Sequence, residues 1–435
     1  MGEHNRKSLS RSSTYRTAAT ALGAFAAPAV QARGANERMV MGLAGCGIRG
    51  PQVGDALRKL GVEIAYACDV DRSRAEKTQK RLEAKQAIGD LRKILDDPAV
   101  DAIVLALPAH WHVPATILAC QAGKHVYVEK PCSHNIAEGR MAVDAARRTG
   151  MVVQMGTQTR GTKVYQEAIA KVHGGAVGKL LFAKAWVSHR RRNIGRGKPC
   201  EPPAGFDYDM FIGPAPMFPC QDNLIPYNWH WFYHFGVGEA GNRGVHQLDI
   251  AQWGLGVTTH PSRVSGFGEK LIFDDDQQFP DTQYVTFEYP GDGASGDRKL
   301  LVYEQRIWSA YNQEDYPTAV AFFGDEGYLT MDMHKEWKLF GPKNQLREQG
   351  KGYFDTGAHC ADFMEAIRNG RRPSADIEIA HRSTTLSHLA NILARTGRRD
   401  LVFDPAAEQF IDAPDANALV SRAYREGHWA VPEDA

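Results

Sequence analysis

The sequence predicts an α/β protein in two folded parts, a doubly wound parallel sheet followed by an α+β domain built on a large, mainly antiparallel open sheet. Three observations predict it. The chain has 435 residues, more than one ordinary hydrophobic core organises. Short apolar runs alternate with helical stretches as far as Gly156. Beyond Gly178, strand-like runs follow one another without a helix between each pair.

In the first part, Arg38 to Ala44 reads as a buried strand, a glycine-rich turn opens a helix through Leu60, and Val62 to Cys68 reads as a second strand, which together make a βαβ unit. The runs Asp101–Leu107, His125–Val128 and Met151–Met155 continue the strands, with helical stretches from Ala115 to Ala122 and from Ala137 to Arg148. In the second part, Leu180–Val187, Tyr284–Tyr289, Lys299–Tyr303 and Tyr328–Met331 read as strands, with a turn at Gly291–Asp297. Helices return at Ala358–Arg368 and Ala380–Arg395.

Residues 1–36 differ from the rest. Arg6, Lys7, Arg11 and Arg16 precede the small apolar run from Ala18 to Val30, and Val30-Gln31-Ala32 carries small residues suited to signal-peptidase cleavage. The expectation is an export leader and a periplasmic or secreted protein, by a Sec-like or a twin-arginine-like route; Ser12 stands where a twin-arginine leader carries its second arginine. The alternative is an Ala-rich tail on a cytoplasmic protein. Basic and acidic residues number 52 and 51, so no net field recruits nucleic acid or an anionic membrane, and a small-molecule substrate is expected. Seven cysteines include no CxxC pair, and no HExxH occurs, so no metal is expected; only Cys200 and Cys220 are placed to pair.

Gly45-Cys46-Gly47-Ile48-Arg49-Gly50 follows a strand and opens a helix, the context in which backbone N–H groups at a helix N-terminus receive a pyrophosphate. Asp69 lies 19 residues after Gly50, at the end of the next strand, where a carboxylate accepts hydrogen bonds from ribose hydroxyls. NAD is therefore the expected cofactor. Arg72 and Arg74 keep NADP open. Lys130, in Glu129-Lys130-Pro131 at a later strand end, faces the crevice where nicotinamide and substrate meet. Removing a hydride from an alcohol carbon also requires a proton acceptor and a group that holds the developing negative oxygen, and Lys130 suits the second task.

Gly244-Val245-His246-Gln247-Leu248-Asp249, if helical, puts His246 and Asp249 on one face, with imidazole the better base near neutrality. The aromatic run Tyr227 to Phe235, with Trp229, His230 and Trp231 at its centre, offers flat apolar faces with polar edges to a sugar ring. The basic run His189-Arg190-Arg191-Arg192 either reaches the same cleft and binds an acidic substituent or forms a solvated loop or subunit contact.

The glycine loop, Pro108-Ala109-His110-Trp111-His112, Glu129-Lys130-Pro131, Gln154 to Arg160 and the His246/Asp249 pair together resemble the Gfo/Idh/MocA family, over nearly all of the chain from Glu37 onward. The resemblance implies a Rossmann domain at 37–157 and a substrate domain at 158–435, whose open sheet builds homodimer or homotetramer interfaces. It implies oxidation of a sugar or cyclitol hydroxyl with NAD(P). It places Leu107, Pro108, His110, His112, Glu129, Lys130 and Gln158 around the cofactor, beside Gly45, Gly47, Ile48, Arg49, Gly50 and Asp69. Arg160, Trp229, His230 and Trp231 fall on the substrate side. His246 then takes the hydroxyl proton, Lys130 stabilises the oxygen, and Asp249 positions substrate or base. Inositol dehydrogenases carry an aspartate before the histidine; this chain has His-x-x-Asp. An exported protein with tightly held cofactor is expected to return the hydride to a second sugar. The alternatives are an NAD-dependent glycosidase acting by transient oxidation and elimination, which Gly241-Asn242-Arg243-Gly244-Val245-His246 matches in part, and a non-catalytic dinucleotide-binding scaffold.

Overall fold

The computed structural model describes residues 38–291, 298–309, 311–333 and 335–433; the leader-like residues 1–36 and the expected turn at 292–297 lie outside them. Strands β1 (Val40–Ala44), β2 (Glu63–Cys68), β3 (Gln86–Ile88), β4 (Ala102–Leu105), β5 (His125–Val128) and β6 (Val153–Met155) form a parallel sheet in the order β3-β2-β1-β4-β5-β6. Helices cover both faces, so β4 is buried at every position and reads in sequence as one apolar run. The order reverses between β1 and β4. A crevice therefore opens at their carboxyl ends, where open α/β sheets bind ligands.

One strand had not been expected, and one helix begins earlier than expected. Strand β3 is three residues long and begins at the exposed Gln86, too short and too polar at its start to give an apolar run. The helix expected from Ala115 runs from Ala109 to Gln121; it is buried nearly all round, so no polar face marks where it starts.

The second sheet has ten strands: β7 (Leu180–Ser188), β8 (Arg263–Glu269), β9 (Thr282–Tyr289), β10 (Lys299–Arg306), β11 (Thr318–Gly324), β12 (Tyr328–Asp332), β13 (Glu336–Phe340), β14 (Leu346–Lys351), β15 (Asp400–Asp404) and β16 (Gln409–Ile411). Their order is β14-β13-β12-β11-β7-β10-β9-β8-β15-β16. Among the described residues only the β7–β10 pair is parallel, as expected of a mainly antiparallel sheet. Helices Lys163–His173, Val245–Leu255 and Ile377–Thr396 pack on one face and form its core. On this sheet the half-buried rings of Phe182, Phe323, Tyr328 and Phe340 stack in a row at centroid spacings of 4.6, 5.6 and 4.7 Å.

The later chain also returns to the first sheet. Cys360, Phe363 and Met364, from helix Thr356–Asn369, share a core with Leu43 and Leu57. Helix Ile377–Thr396 packs on helix Ile136–Thr149. The two parts are thus joined by apolar burial on both sides of the crevice.

Candidate active site

The crevice is a cavity of about 660 Å³ whose first wall is the glycine loop. Gly45 has φ +97°, and a Cβ there would lie 2.2 Å from the carbonyl oxygen of Ala106. A Cβ on Gly50 would lie 1.9 Å from the Gly45 carbonyl oxygen, so both positions require glycine. Gly47 differs: its Cβ would meet nothing nearer than Arg74 Nη1 at 3.7 Å. The protein does not use that space, and a diphosphate fits against it at the N-terminus of helix Arg49–Lys59.

Asp69 closes this end. Its carboxylate accepts hydrogen bonds from the backbone N–H groups of Cys46 (2.6 Å) and Asp71 (2.8 Å), which fix the loop, and its remaining lone pairs suit ribose hydroxyls. Burial pushes its pKa up against those bonds. Of the two nearby arginines, Arg74 lines the cavity, whereas Arg72 is exposed and pairs with Glu76. Ile48, Arg49, Leu107, Pro108 and Glu129 line it as expected.

Lys130, at the end of β5, lies at the inner end of the same cavity. Its Nζ donates to the backbone oxygen of Asn242 (2.6 Å) and to Asn242 Oδ1 (3.2 Å), and burial lowers its pKa. Glu129 accepts from Arg49 Nε (3.1 Å) and from Gln158 Nε2 (3.0 Å). Gln158 also donates to Tyr127 Oη (2.8 Å); it lies beneath the cavity wall and orients Glu129.

The opposite wall comes from residues 225–242. Asn242 sits in a π-helical turn, Ala240–Gly244, and its amide donates to Glu239 (3.4 Å). Glu239 is buried and accepts from both Arg191 Nε (3.1 Å) and Arg191 Nη2 (2.9 Å). Burial alone would raise its pKa, but a hydrogen bond from His189 and the Arg191 charge hold it at about 2. Trp229 and His230 line the cavity. His230 Nδ1 lies 2.7 Å from the Tyr227 carbonyl oxygen, which can only accept, so Nδ1 carries the proton and Nε2 presents a lone pair. Burial lowers this imidazole to about 4 and keeps it neutral at pH 7.

Several expected site residues stand elsewhere. His110 is buried against Phe211 and Phe235, with Nε2 2.9 Å from the Phe211 carbonyl oxygen, and so braces the wall from behind. His112 lies between the carbonyl oxygens of Leu107 (2.8 Å) and Pro131 (2.6 Å), which only accept, so the neutral ring donates to one of them and packs against the other. Trp231 is in an aromatic core, 2 % exposed. Arg160 and Asp249 form a buried two-pronged ion pair at 2.8 and 2.9 Å, with the guanidinium over Trp253, and neither lines the cavity. His246 and Asp249 do share helix Val245–Leu255, but the carboxylate is wholly buried. His246 is 6 % exposed, stands one turn past Asn242 and, like Asp249, does not line the cavity.

Asn242 and Glu239 carry the second wall without having been singled out for it, beside Tyr227 of the aromatic run and Arg191 of the basic run. The Gly241-Asn242 pair and the basic run were visible, yet nothing in their spacing says that one carboxylate joins them. Outside the cavity, Cys200 and Cys220 are neighbours but free thiols, their sulfurs 3.5 Å apart. His260, His381 and Glu408 place possible ligand atoms within 4.8 Å of one another, but Arg140 already occupies the same carboxylate oxygen.

Residues 39–157 match the oxidoreductase family with the NAD-binding Rossmann fold, and residues 314–431 match the C-terminal alpha/beta domain of the same family. The chain belongs to the Gfo/Idh/MocA family. It is 26% identical over 325 residues to the scyllo-inositol 2-dehydrogenase (NAD(+)) of Bacillus subtilis, covering 72% of this chain and 81% of that one. It is 27% identical over 261 residues to inositol 2-dehydrogenase 2 of Saccharopolyspora erythraea, covering 58% and 63%. Among solved structures, levoglucosan dehydrogenase in complex with NADH and levoglucosan aligns with a TM-score of 0.63 at 18% identity, over 87% of this chain and 100% of that one. As a Gfo/Idh/MocA oxidoreductase the protein is an NAD-dependent enzyme acting on CH–OH groups, and the glycine loop, Asp69 and Lys130 line one cavity.

Proposed function

We propose that the protein oxidises a hydroxyl-bearing carbon of a sugar, sugar derivative or cyclitol, with NAD as hydride acceptor. The observation that carries this reading is Lys130 Nζ, held by Asn242 at the inner end of a cavity whose outer end is the glycine loop. Trp229 supplies an apolar face for a ring, and the neutral His230 stands beside it on the same wall. When bound, NAD supplies the hydride chemistry. Lys130 holds the oxygen from which the proton departs, and its lowered pKa eases proton exchange at that oxygen. The onward proton transfer is assigned to His246, one turn past Asn242 and outside the cavity lining, as the nearest histidine on that helix. Asp249 is removed from this scheme by its pairing with Arg160. The names of the inositol and levoglucosan dehydrogenases support polyhydroxylated substrates.

The protein is further proposed to form a homo-oligomer through the second sheet, a reading supported by the aromatic row Phe182, Phe323, Tyr328 and Phe340. Residues 1–36 support export, which amino-terminal sequencing of protein from its native cells tests.

Purified protein is denatured and the released nucleotide is identified by mass spectrometry, then a panel of inositols, aldoses and anhydrosugars is followed by nicotinamide absorbance. Turnover of at least one member with NAD is expected, and Lys130→Ala should abolish it. Release of free sugar from an aryl glycoside without net NADH would replace simple oxidation by elimination.

A further inference from the structure

The chain between Cys200 and Cys220 makes a strap from the second wall to the first sheet. Its stem is a short antiparallel ladder: Pro199 bridges Gln221, Cys200 N donates to the Cys220 carbonyl oxygen (3.1 Å) and Asp222 N to that of Lys198 (3.0 Å). Its tip pairs with the residues that follow β2. Phe206 bridges Asp71, Arg72 N donates to the Gly205 carbonyl oxygen (3.1 Å) and Asp207 N to that of Val70 (2.9 Å). Phe206 and Met210 thereby line the cofactor cleft beside Asp69 and Val70. The two limbs of the strap are held unequally. On the returning limb Phe211, Ile212 and Ala215 are buried in an aromatic core, and Phe218 packs on Phe232 and Phe235. On the outgoing limb Glu201, Pro203, Ala204 and Gly205 are exposed, and it is held by the tip hydrogen bonds and by the Phe206 ring against Phe211. Segments with few buried contacts open locally at low cost.

Cys200 stands at the base of the outgoing limb and Cys220 at the base of the returning one, opposite each other in the ladder, where Cα atoms lie roughly 5.5 Å apart, a spacing that a disulfide spans. Their sulfurs are 3.5 Å apart. Of the seven cysteines Cys200 alone is exposed, so a dissolved disulfide meets it first. We propose that Cys200 and Cys220 form a redox-controlled disulfide that fastens the strap over the bound nucleotide and slows its release. The Cys200 thiolate attacks a small disulfide RSSR, one RS⁻ leaves, and a mixed disulfide stands on Cys200. The Cys220 thiolate then attacks the Cys200 sulfur, and the second RS⁻ leaves. Two protein thiols are oxidised, one RSSR is reduced, and the two thiol protons go to the departing RS⁻ groups. The crosslink ties the lightly held limb to the anchored one and closes a ring of roughly 20 residues, which removes opened conformations from the strap.

The full-length protein, kept reduced with dithiothreitol or treated with glutathione disulfide, is loaded with NADH, chased with excess NAD and followed by the loss of bound-NADH fluorescence. After oxidation the intact mass should fall by two hydrogens, and digestion should release the Cys200 and Cys220 peptides joined. NADH release should then be slower by roughly tenfold or more, and dithiothreitol should restore the fast rate. Cys200→Ser changes an exposed side chain and Cys220→Ser its neighbour; both variants should release NADH at the fast rate in either condition. A stable glutathione adduct with no crosslink, or a crosslink that leaves the release rate unchanged, overturns the proposal, as does slowing that persists in Cys200→Ser. The readout is nucleotide release, so the outcome is independent of which sugar the enzyme oxidises.

Discussion

The two walls of the cofactor cleft are built by different means. On the first wall Gly45, Gly47, Asp69 and Lys130 stand at the ends of β1, β2 and β5, and the sheet's backbone alone brings them together. On the second wall Asn242 and His230 come from irregular segments, and a buried carboxylate, Glu239, with Arg191 and His189, ties down the turn that carries Asn242. A strand end needs no side chain to fix its direction. A π-helical turn over a cavity does, and the cluster supplies it. Arg160–Asp249 is the instructive contrast: a similar buried pair, equally polar, that serves packing and does not reach the cleft.

The largest expected effect sharpens the comparison at the point where the walls meet. Lys130→Ala should lower kcat by about 10²–10⁴-fold with the Kd for NAD unchanged, read by steady-state kinetics and nucleotide titration. Asp249→Ala strands a buried guanidinium and should cost about 3–5 kcal/mol of stability in denaturant unfolding, while substrate KM is retained. Glu239→Gln should cost stability for the same reason and also lower kcat, because Asn242 loses the group that anchors it. If Asp249→Ala instead spared stability and abolished turnover, the two pairs would have exchanged roles.

A smaller effect tests the first wall. Gly47→Ala should leave the melting temperature alone, since its Cβ meets no protein atom nearer than 3.7 Å, yet weaken NAD binding by about tenfold, or ~1.4 kcal/mol. The last prediction concerns pH. Burial lowers His125, His230 and His359 to about 4 and His110 and His388 to about 3, from an ordinary 6.5. The unfolded chain therefore binds protons below pH 6.5 that the folded chain refuses, so stability should be full above that value and decline as pH falls toward 4. Melting curves between pH 7.5 and pH 5, the working range of such a scan, should move to lower temperature with acidity. His230→Asn should reduce the slope if that imidazole stays neutral against the cleft.

Much of the first wall was legible because strand, glycine turn and strand-end residue recur at spacings that the parallel sheet enforces; Asp69 and Lys130 needed only counting from Gly50. His110 and His112 show where that reading ends. They belong to a segment next to the cofactor, but the helix that begins at Ala109 turns both rings inward. The His246 and Asp249 spacing correctly gave a helix, while helical periodicity says which residues share a face and leaves open what that face meets. Arg160, 89 residues earlier in the chain, made the difference.

The sequence by itself determined the parallel α/β unit and the dinucleotide loop, because each follows from local backbone geometry and short spacing, and it pointed to Lys130 as a strand-end residue at the cleft. Only the tertiary structure decided which polar groups face the cleft and which are consumed in pairs. Charges leave water only with partners, and for Glu239, Asp249 and Arg422 those partners come from distant parts of the chain.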